Sequence, residues 1–524
     1  MESPLEQATR LPKLWPWLIV CALAAVWIDL TGIHRHHHAD SLLPALVSLY
    51  RWTPFYWELD RIGMLGPLVA MPVRHPLANL LVQDALYIFG SLTGLLLLAR
   101  YVLRDATYPL VGALSIAAFV GLAPGYYRFH LLIDTQYGLW LSLGLGGLVL
   151  LEADASGRIR PWRRAAALAL LVLAHWCYCT AALFLGPLVV LRWLAYRGVG
   201  RHLRSRMLFS EMAASLASLA LAFAVGLALM RLSPVKDTNF GTLPLEEWPR
   251  TSWVLLKTSW HALAPHWWPI ACVCAVSLCL PLAWRWRTRS ALAISARAAA
   301  VLLGSAAAIG LFMSTRQWVV TNLHHFRFLL IPALFTETAC LAVVAAVVAG
   351  RWPQVVRRWS YAIGGLAIAL AIGVGLGRPS LARLRGGLAE RALLADPEAS
   401  AADARKQIRA DEVLATHCTH IAGNYWRVWP AVFAANVALY ERGEHQVVWG
   451  LTLRSLPTSE FWRAIPRSKT RIAVFAPGDE DAQQYLESFG FLPLVPSARR
   501  ATITVLEPAE LAAVKPPSNN LRTH

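Results

Sequence analysis

Residues 15–30 read WPWLIVCALAAVWIDL, and residues 34–40 read HRHHHAD. The first stretch is an apolar run of helical character, and the second places imidazole, guanidinium and carboxylate groups directly after it. Runs of about 17 to 25 apolar residues cross a hydrocarbon layer of about 30 Å. We therefore interpret this segment as a first membrane span followed by a polar loop at the membrane surface.

The composition of the whole chain fits a membrane protein. The chain is 56% hydrophobic and only 15% charged, whereas a soluble domain carries about 25% charged residues. Its net charge is +18, and much of the excess is arginine in short loops between apolar runs, as the positive-inside rule requires of cytoplasmic loops. Because no stretch interleaves basic and aromatic residues as a single-strand binding surface does, we expect no nucleic-acid partner.

The apolar runs predict an α-helical polytopic membrane protein with about eleven membrane helices. The predicted helices are Trp15–Leu30, Leu77–Leu98, Tyr108–Ala123, Tyr137–Leu151, Ala165–Cys177, Ala181–Ala195, Glu211–Leu232, Trp267–Trp284, Ala291–Met313, Phe328–Ala349 and Tyr361–Leu376. The fifth and sixth are too short for full spans at a rise of about 1.5 Å per residue. They are therefore predicted to form a hairpin of short helices that turns near His175-Trp176.

The arginine distribution orients the chain and divides it into two domains. It predicts a cytoplasmic N-terminus, a transmembrane domain over residues 1–378 and an extracytoplasmic C-terminal domain over residues 379–524. In the C-terminal part, helical stretches alternate with strand-like runs at 446–449, 471–475 and 502–506, which predicts a small α/β domain. Its aromatic stretch 424–430 either stacks on sugar rings or forms the core, and the core is favoured.

Three carboxylates at predicted external helix ends are candidates for acid/base chemistry: Asp40, Asp60 and Asp134. Asp40 opens a short amphipathic helix that extends to Tyr50, so its carboxylate either caps that helix or serves as a general base. Asp60 either forms a solvated ion pair with Arg61 or orients Arg61 toward a phosphate. Asp134 lies at the start of the fourth predicted span, where an ionisable residue faces water or serves function.

Basic and polar groups at the same predicted membrane face are candidates for phosphate binding: Arg61, Arg128, Arg327, His324, His325 and Tyr137. Arg327 cannot lose its charge, so at the head of a span it either snorkels to the surface or binds an anion. The histidine cluster adds a candidate metal set of His37, His38 and Asp40. Whether a divalent metal ion acts as a cofactor is left open by the sequence.

Taken together, these residues resemble the polytopic GT-C glycosyltransferase superfamily, which includes protein O-mannosyltransferases, the lipid A aminoarabinose transferase and oligosaccharyltransferases. The resemblance covers Trp15 to Arg378. It depends on Asp40 before a short helix, Asp134 at the fourth span, the hairpin near His175, and Arg327 heading a late helix. The sequence departs from the family where relatives carry a paired Asp-Glu at the first position and a lysine in the hairpin.

The resemblance implies an integral-membrane glycosyltransferase of the bacterial inner membrane. The donor would be a sugar on a polyprenyl phosphate, the acceptor an extracytoplasmic glycan, lipid or protein, and Asp40 the base or a metal ligand. Membrane lipids are further expected partners. Two alternatives stay open: a transporter or flippase of lipid-linked glycans, and a non-catalytic scaffold for envelope assembly.

Overall fold

The computed structural model describes residues 13–30, 37–50, 52–55, 63–103, 107–123, 125–133, 136–152, 158–197, 202–233, 241–263, 291–375, 410–452, 472–475, 494–499 and 503–508. The chain divides into two compact units. The first comprises Met1–Asp29, Leu59–Gly63 and Ala85–Pro379, and the second comprises Leu30–Glu58, Met64–Asp84 and Ser380–His524. The second unit therefore combines most of the first polar loop and the start of the following helix with the C-terminal part of the chain.

The first unit is built from helices. In chain order they are α1 Trp15–Asp29, α4 Pro76–Leu103 from Ala85 onward, α5 Tyr108–Leu122, α6 Gly125–Leu132, α7 Tyr137–Leu150, α8 Pro161–Cys177, α9 Ala181–Tyr196, α10 His202–Arg231, α11 Trp248–Leu263, α12 Ala291–Ser314, α13 Gln317–Thr321, α14 Leu330–Arg351 and α15 Pro353–Gly375. A helix overlaps every predicted membrane segment except Trp267–Trp284, which lies outside the described residues. Short 3-10 turns occur at Leu245–Glu247 and Phe326–Leu329.

Within the described residues, four stretches are long and apolar enough to cross a membrane by length and composition: Pro76–Leu103, Met207–Arg231, Ala293–Ser314 and Phe326–Arg351. The predicted hairpin is present as α8 and α9, which are separated only by residues 178–180. The reversal therefore comes a few residues later than His175-Trp176, because α8 continues to Cys177 and ends where Tyr178 takes an extended backbone conformation.

A buried charge network joins three helix ends of the first unit. The Glu152 carboxylate, just after α7, contacts Arg100 Nη2 of α4 at 2.9 Å and Arg192 Nη2 of α9 at 2.8 Å. The Arg192 guanidinium lies over the Tyr101 ring, 3.9 Å from its centroid. A buried ion pair stabilises the fold only while all of its partners are present, because the loss of one leaves a buried charge without compensation. We therefore interpret this network as a clamp that fixes α4, α7 and α9 together.

The second unit begins with the first polar loop, which folds into α2 Ala39–Tyr50 and α3 Leu65–Ala70 and continues into the start of α4. The predicted short helix after His38 is thus confirmed. The buried Asn79 side chain donates to Ser48 Oγ at 3.0 Å, to the Ala70 carbonyl at 2.8 Å and to the Val73 carbonyl at 3.0 Å. These bonds satisfy loop carbonyls that burial would otherwise leave unpaired.

The rest of the second unit is a five-stranded mixed sheet with helices. Its elements are α16 Ala410–Ala415, β1 His420–Ala422, α17 Tyr425–Glu441, β2 Trp449–Leu451, β3 Ile472–Phe475, β4 Leu494–Arg499 and β5 Ile503–Pro508. The strand order is β2-β1-β3-β5-β4. Strand β1 pairs in parallel with β2 and β3, whereas β5 pairs antiparallel with β3 and β4. The predicted strand-like runs at 446–449, 471–475 and 502–506 overlap β2, β3 and β5, respectively.

Helix α17 packs along α2 within the second unit. Tyr50 Oη of α2 donates to Asn436 Oδ1 at 3.3 Å, and the Tyr50 ring meets the Trp449 ring edge-on at 6.0 Å. Trp429 and Trp449 are fully buried and contact each other at 5.2 Å. The preference for a core role is therefore confirmed for Trp429, whereas Trp426 is exposed.

Candidate functional site

Asp40 lies in the first turn of α2 without serving as its cap. The backbone N–H of Asp40 donates to His38 Nδ1 at 3.2 Å, and the N–H of His38 donates to Ser41 Oγ at 3.1 Å. This reciprocal arrangement resembles a capping box, with His38 as the cap and Ser41 as the residue that reaches back. His38, and not Asp40, therefore occupies the N-cap position of α2.

The Asp40 carboxylate accepts a hydrogen bond from the C-terminal part of the chain. Tyr425 Oη donates to Asp40 Oδ1 at 2.6 Å, and the two residues are 5% and 8% exposed. Tyr425 is held at the first position of α17, whose cap is Asn424 accepting from the Trp426 N–H at 3.0 Å. A short hydrogen bond of this kind fixes the orientation of the carboxylate.

A second polar group anchors the same helix end. His37 Nδ1 lies 2.9 Å from Ser41 Oγ, and His37 Nε2 lies 2.8 Å from Asp84 Oδ2. All three side chains are buried, and Asp84 belongs to α4. Because the imidazole bridges α4 to the first turn of α2, it fixes the backbone that carries Asp40. Asp84 was not a candidate from sequence, since a lone aspartate inside an apolar helix gave no signal of its partner.

In the first unit, parts of three predicted external segments meet. Gln136 Nε2 donates to the Gly63 carbonyl at 2.7 Å, and the Gly63 N–H donates to the Trp176 carbonyl at 2.7 Å. A side chain at Gly63 would collide with the Trp176 backbone. Gln136 has φ of 61°, a left-handed conformation that is strained for a non-glycine residue. The first loop, the start of the fourth span and the helical hairpin therefore share one end of this unit.

The loop before α14 contacts α6 through aromatic and imidazole rings. The buried His130 ring of α6 lies 5.3 Å from the His325 ring and 5.6 Å from the Phe326 ring, edge-on in both cases. Arg128 Nη1 donates to the Val120 carbonyl at 2.6 Å, which directs this guanidinium partly into the protein. Tyr137 is buried against Tyr178, with ring centroids 5.6 Å apart.

Arg327 is held by its own loop. Its Nη2 donates to Asn322 Oδ1 at 3.0 Å, its backbone N–H donates to His325 Nδ1 at 3.2 Å, and its guanidinium lies 5.3 Å from the Phe328 centroid. Its buried Nε has no hydrogen-bond partner among the described residues. A buried guanidinium N–H without a partner is costly, so this donor suits an anion such as a phosphate.

His324 forms the strained turn of this loop. Both Leu323 and His324 have positive φ, 54° and 55°. Burial lowers the pKa of His324, and the nearby Arg250 charge lowers it further.

Three sequence candidates, Asp60, Arg61 and Asp134, lie outside the described residues. Among the described residues there is no group of three His, Cys, Asp or Glu side chains arranged to hold a metal ion. His37 and His38, two members of the candidate metal set, instead contact Asp84 and cap α2.

Tyr425 and Gln136 were missed as site residues by sequence reasoning. Tyr425 stood within the noted aromatic stretch 424–430, but that pattern indicated a core and gave no reason to link one hydroxyl to Asp40. Gln136 is identified by its left-handed backbone conformation and by its hydrogen bond to the Gly63 carbonyl, neither of which a sequence pattern indicates.

No protein-family model matches the chain, and no curated protein matches it. Solved structures that resemble it include two crystal structures of ArnT from Cupriavidus metallidurans, one bound to undecaprenyl phosphate and one in the apo state. Both are 15% identical to this chain over 94% of its length and 97% of theirs, with TM-scores of 0.46 and 0.44. ArnT is a lipid A aminoarabinose transferase of the GT-C family.

Proposed function

We propose that this chain is an integral-membrane glycosyltransferase that moves a sugar from a polyprenyl-phosphate donor to an extracytoplasmic acceptor. The observation that carries the proposal is the state of Asp40. Its carboxylate is nearly buried, is not needed as a helix cap, and is oriented at 2.6 Å by Tyr425. A positioned carboxylate at a helix end is suited to general-base chemistry.

In the proposed reaction, Asp40 accepts the proton of an acceptor hydroxyl as that oxygen attacks the anomeric carbon of the donor sugar. The bond from the anomeric carbon to the phosphate oxygen breaks, and the phosphate leaves with the electron pair. The products are a glycosylated acceptor and the free polyprenyl phosphate. The leaving phosphate is stabilised by preorganised cationic and hydrogen-bonding groups.

Arg327 is the proposed principal contact to that phosphate, because its guanidinium is held by Asn322 while its Nε has no partner in the described part of the chain. His324 and His325 of the same loop are proposed as neighbouring contacts. The remaining sequence candidates keep their roles within this proposal: Asp60 and Asp134 as further carboxylates, and Arg61, Arg128 and Tyr137 as further phosphate contacts.

The proposed location is the bacterial inner membrane, with the N-terminus in the cytoplasm and residues 379–524 in the periplasm. The meeting of Gly63, Gln136 and Trp176 supports this topology, because the arginine distribution assigns all three to the outer face. Cysteine-accessibility labelling of residues in α17 from the outside tests it directly.

A transporter of lipid-linked glycans is the second candidate, and Glu337 favours it. This glutamate lies inside α14, is fully buried, and neither carboxylate oxygen has a hydrogen-bond partner among the described residues. Ionisable residues within spans mark transport pathways in many membrane proteins. The two functions differ chemically, because a transporter moves the donor intact, whereas a transferase releases the free carrier phosphate.

The deciding experiment uses the full-length chain in proteoliposomes with a panel of undecaprenyl-phosphate-linked hexoses and pentoses, and bacterial envelope extract as acceptor. We expect release of undecaprenyl phosphate by the wild type and its loss in Asp40→Asn, with elution profile and melting temperature unchanged. Glu444→Gln, an exposed carboxylate of the second unit, serves as the matched control and should keep full activity. Full activity of Asp40→Asn would remove the base assignment, and donor movement without carrier release would favour the transporter.

A further inference from the structure

Helix α11, Trp248–Leu263, carries three different faces along its length. Thr251, Leu255 and Ser259, spaced at four-residue intervals, form its buried face. The apolar residues Trp253, Leu256 and Trp260 form a second face and are 66%, 54% and 52% exposed. Because residues three, four and seven positions apart lie on one side of a helix, this second face is a continuous apolar stripe.

In α11 the large apolar side chains are exposed and small hydroxyl side chains are buried, which is the reverse of a helix that packs its apolar side into a core. Two of the three buried residues are small hydroxyl side chains, and the Ser259 hydroxyl is buried without a hydrogen-bond partner among the described residues. The two large indoles point away from the protein instead. Because removal of large apolar side chains from water is favourable, this stripe fits an apolar environment outside the protein.

A third face runs beside the apolar stripe and is basic. Arg250, Lys257 and His261 are all exposed, and their spacing places them on one flank of the helix. Lysine and arginine side chains near an anionic lipid surface are attracted to its headgroups. An apolar stripe flanked by cations is the pattern of a helix that lies in the plane of a membrane interface.

The position of α11 matches that environment. It packs against α12 and the Phe326–Leu329 turn. The strand-like segment before it is bonded to the chain directly after α12: Leu243 N–H to the Thr315 carbonyl at 2.9 Å, and Gln317 N–H to the Gly241 carbonyl at 3.0 Å. Helix α12 is one of the helices long enough to span a membrane, and it ends at Ser314. These two backbone hydrogen bonds therefore hold the start of α11 near the level at which that helix would leave the bilayer.

We infer that α11 is an interfacial helix whose Trp253, Leu256 and Trp260 side chains insert into the bilayer, while Arg250 and Lys257 bind anionic phospholipid headgroups. The occupant of this surface is the phospholipid bilayer itself. An amphipathic interfacial helix buries its apolar face about 5–10 Å into the boundary between headgroups and acyl chains. This inference does not depend on the proposed glycosyl transfer.

The test is a depth measurement by spin labelling of the full-length chain in vesicles of phosphatidylcholine and phosphatidylglycerol. The label is introduced at Leu256→Cys or at the control Glu246→Cys, after replacement of the eight native cysteines by alanine. We expect the label at position 256 to be accessible to oxygen. Its accessibility to a water-soluble nickel reagent should be several-fold lower than that of the label at position 246. Equal nickel access at both positions would overturn the inference, and protection from both reagents would indicate a protein partner or a second copy instead.

A second measurement keeps the native cysteines. Quenching of tryptophan fluorescence by brominated phosphatidylcholine should reach less of the total signal in Trp253→Phe and Trp260→Phe than in the wild type. Trp426→Phe, an exposed indole on α17, is the matched control and should leave the lipid-quenched signal unchanged. An unchanged quenched signal in both α11 variants refutes lipid insertion. The charge component is tested with Arg250→Gln/Lys257→Gln, which should make the 256 label shallower in phosphatidylglycerol vesicles but not in pure phosphatidylcholine.

Discussion

Replacement of Tyr425 by phenylalanine tests whether the C-terminal part of the chain takes part in the proposed chemistry. The substitution removes one hydroxyl that lies 2.6 Å from Asp40 Oδ1 and keeps the buried ring and its edge contact with Trp426 at 5.1 Å. A hydrogen bond to a charged group contributes about 1.5–3 kcal/mol. If that bond orients the base in the transition state, kcat/KM falls about 10- to 100-fold, at about 1.4 kcal/mol for each tenfold change.

The pH profile separates positioning from simple packing. If Asp40 is the base and Tyr425 positions it, loss of this hydrogen bond should shift the acidic limb of the kcat/KM profile. A purely structural role would leave that limb in place and lower the melting temperature. The assay is release of undecaprenyl phosphate by the full-length chain from pH 4 to about pH 8, the range over which carboxylates and histidines titrate.

Tyr440→Phe is the matched control, because Tyr440 lies on the same helix but contacts His75 rather than Asp40. It should leave both the rate and the pH profile unchanged. Activity of Tyr425→Phe within twofold of wild type, with the same acidic limb, would show that Asp40 does not need this hydroxyl. The positioning role would then be withdrawn while the Asp40→Asn result still decides the base assignment.

Two further predictions concern stability. Glu152→Gln should lower the free energy of unfolding by about 3–5 kcal/mol, because Arg100 and the buried Arg192 lose the carboxylate that they share. Glu444→Gln, which breaks an exposed ion pair, should cost about 0–1 kcal/mol. Equal melting temperatures of the two variants in detergent would contradict the stabilising role of this network. Burial lowers the pKa of His420 to about 3. The unfolded chain therefore binds a proton at His420 more readily than the folded chain does between about pH 6.5 and pH 3. The stability that is present above about pH 6.5 is lost over that range by about 1.4 kcal/mol per pH unit as the pH falls. Hydrogen exchange of β1 and β2 peptides, corrected for the intrinsic rate, should show this loss in the wild type and a flatter profile in His420→Leu.

The local features of this fold were predictable from the sequence. Apolar runs determine where helices form, because a helix satisfies its own backbone hydrogen bonds and its length is set by the run itself. The polar residues after the first span likewise identified Asp40 and the short helix that it begins. The assignment of Arg327 to a loop before a late helix followed from its position ahead of an apolar run.

The partners of those residues were decided only by tertiary structure. Tyr425 meets Asp40 across 385 residues, and His37 meets Asp84 across 47, so no local pattern links either pair. The choice of His38 and Ser41, rather than Asp40, as the capping residues also depends on the conformation of the helix end. Hydrophobic periodicity is a property of neighbouring residues, whereas a hydrogen bond between distant segments depends on how they pack. The sequence by itself therefore determined which groups stand at the ends of the helices, and the tertiary structure decided which of them hold one another.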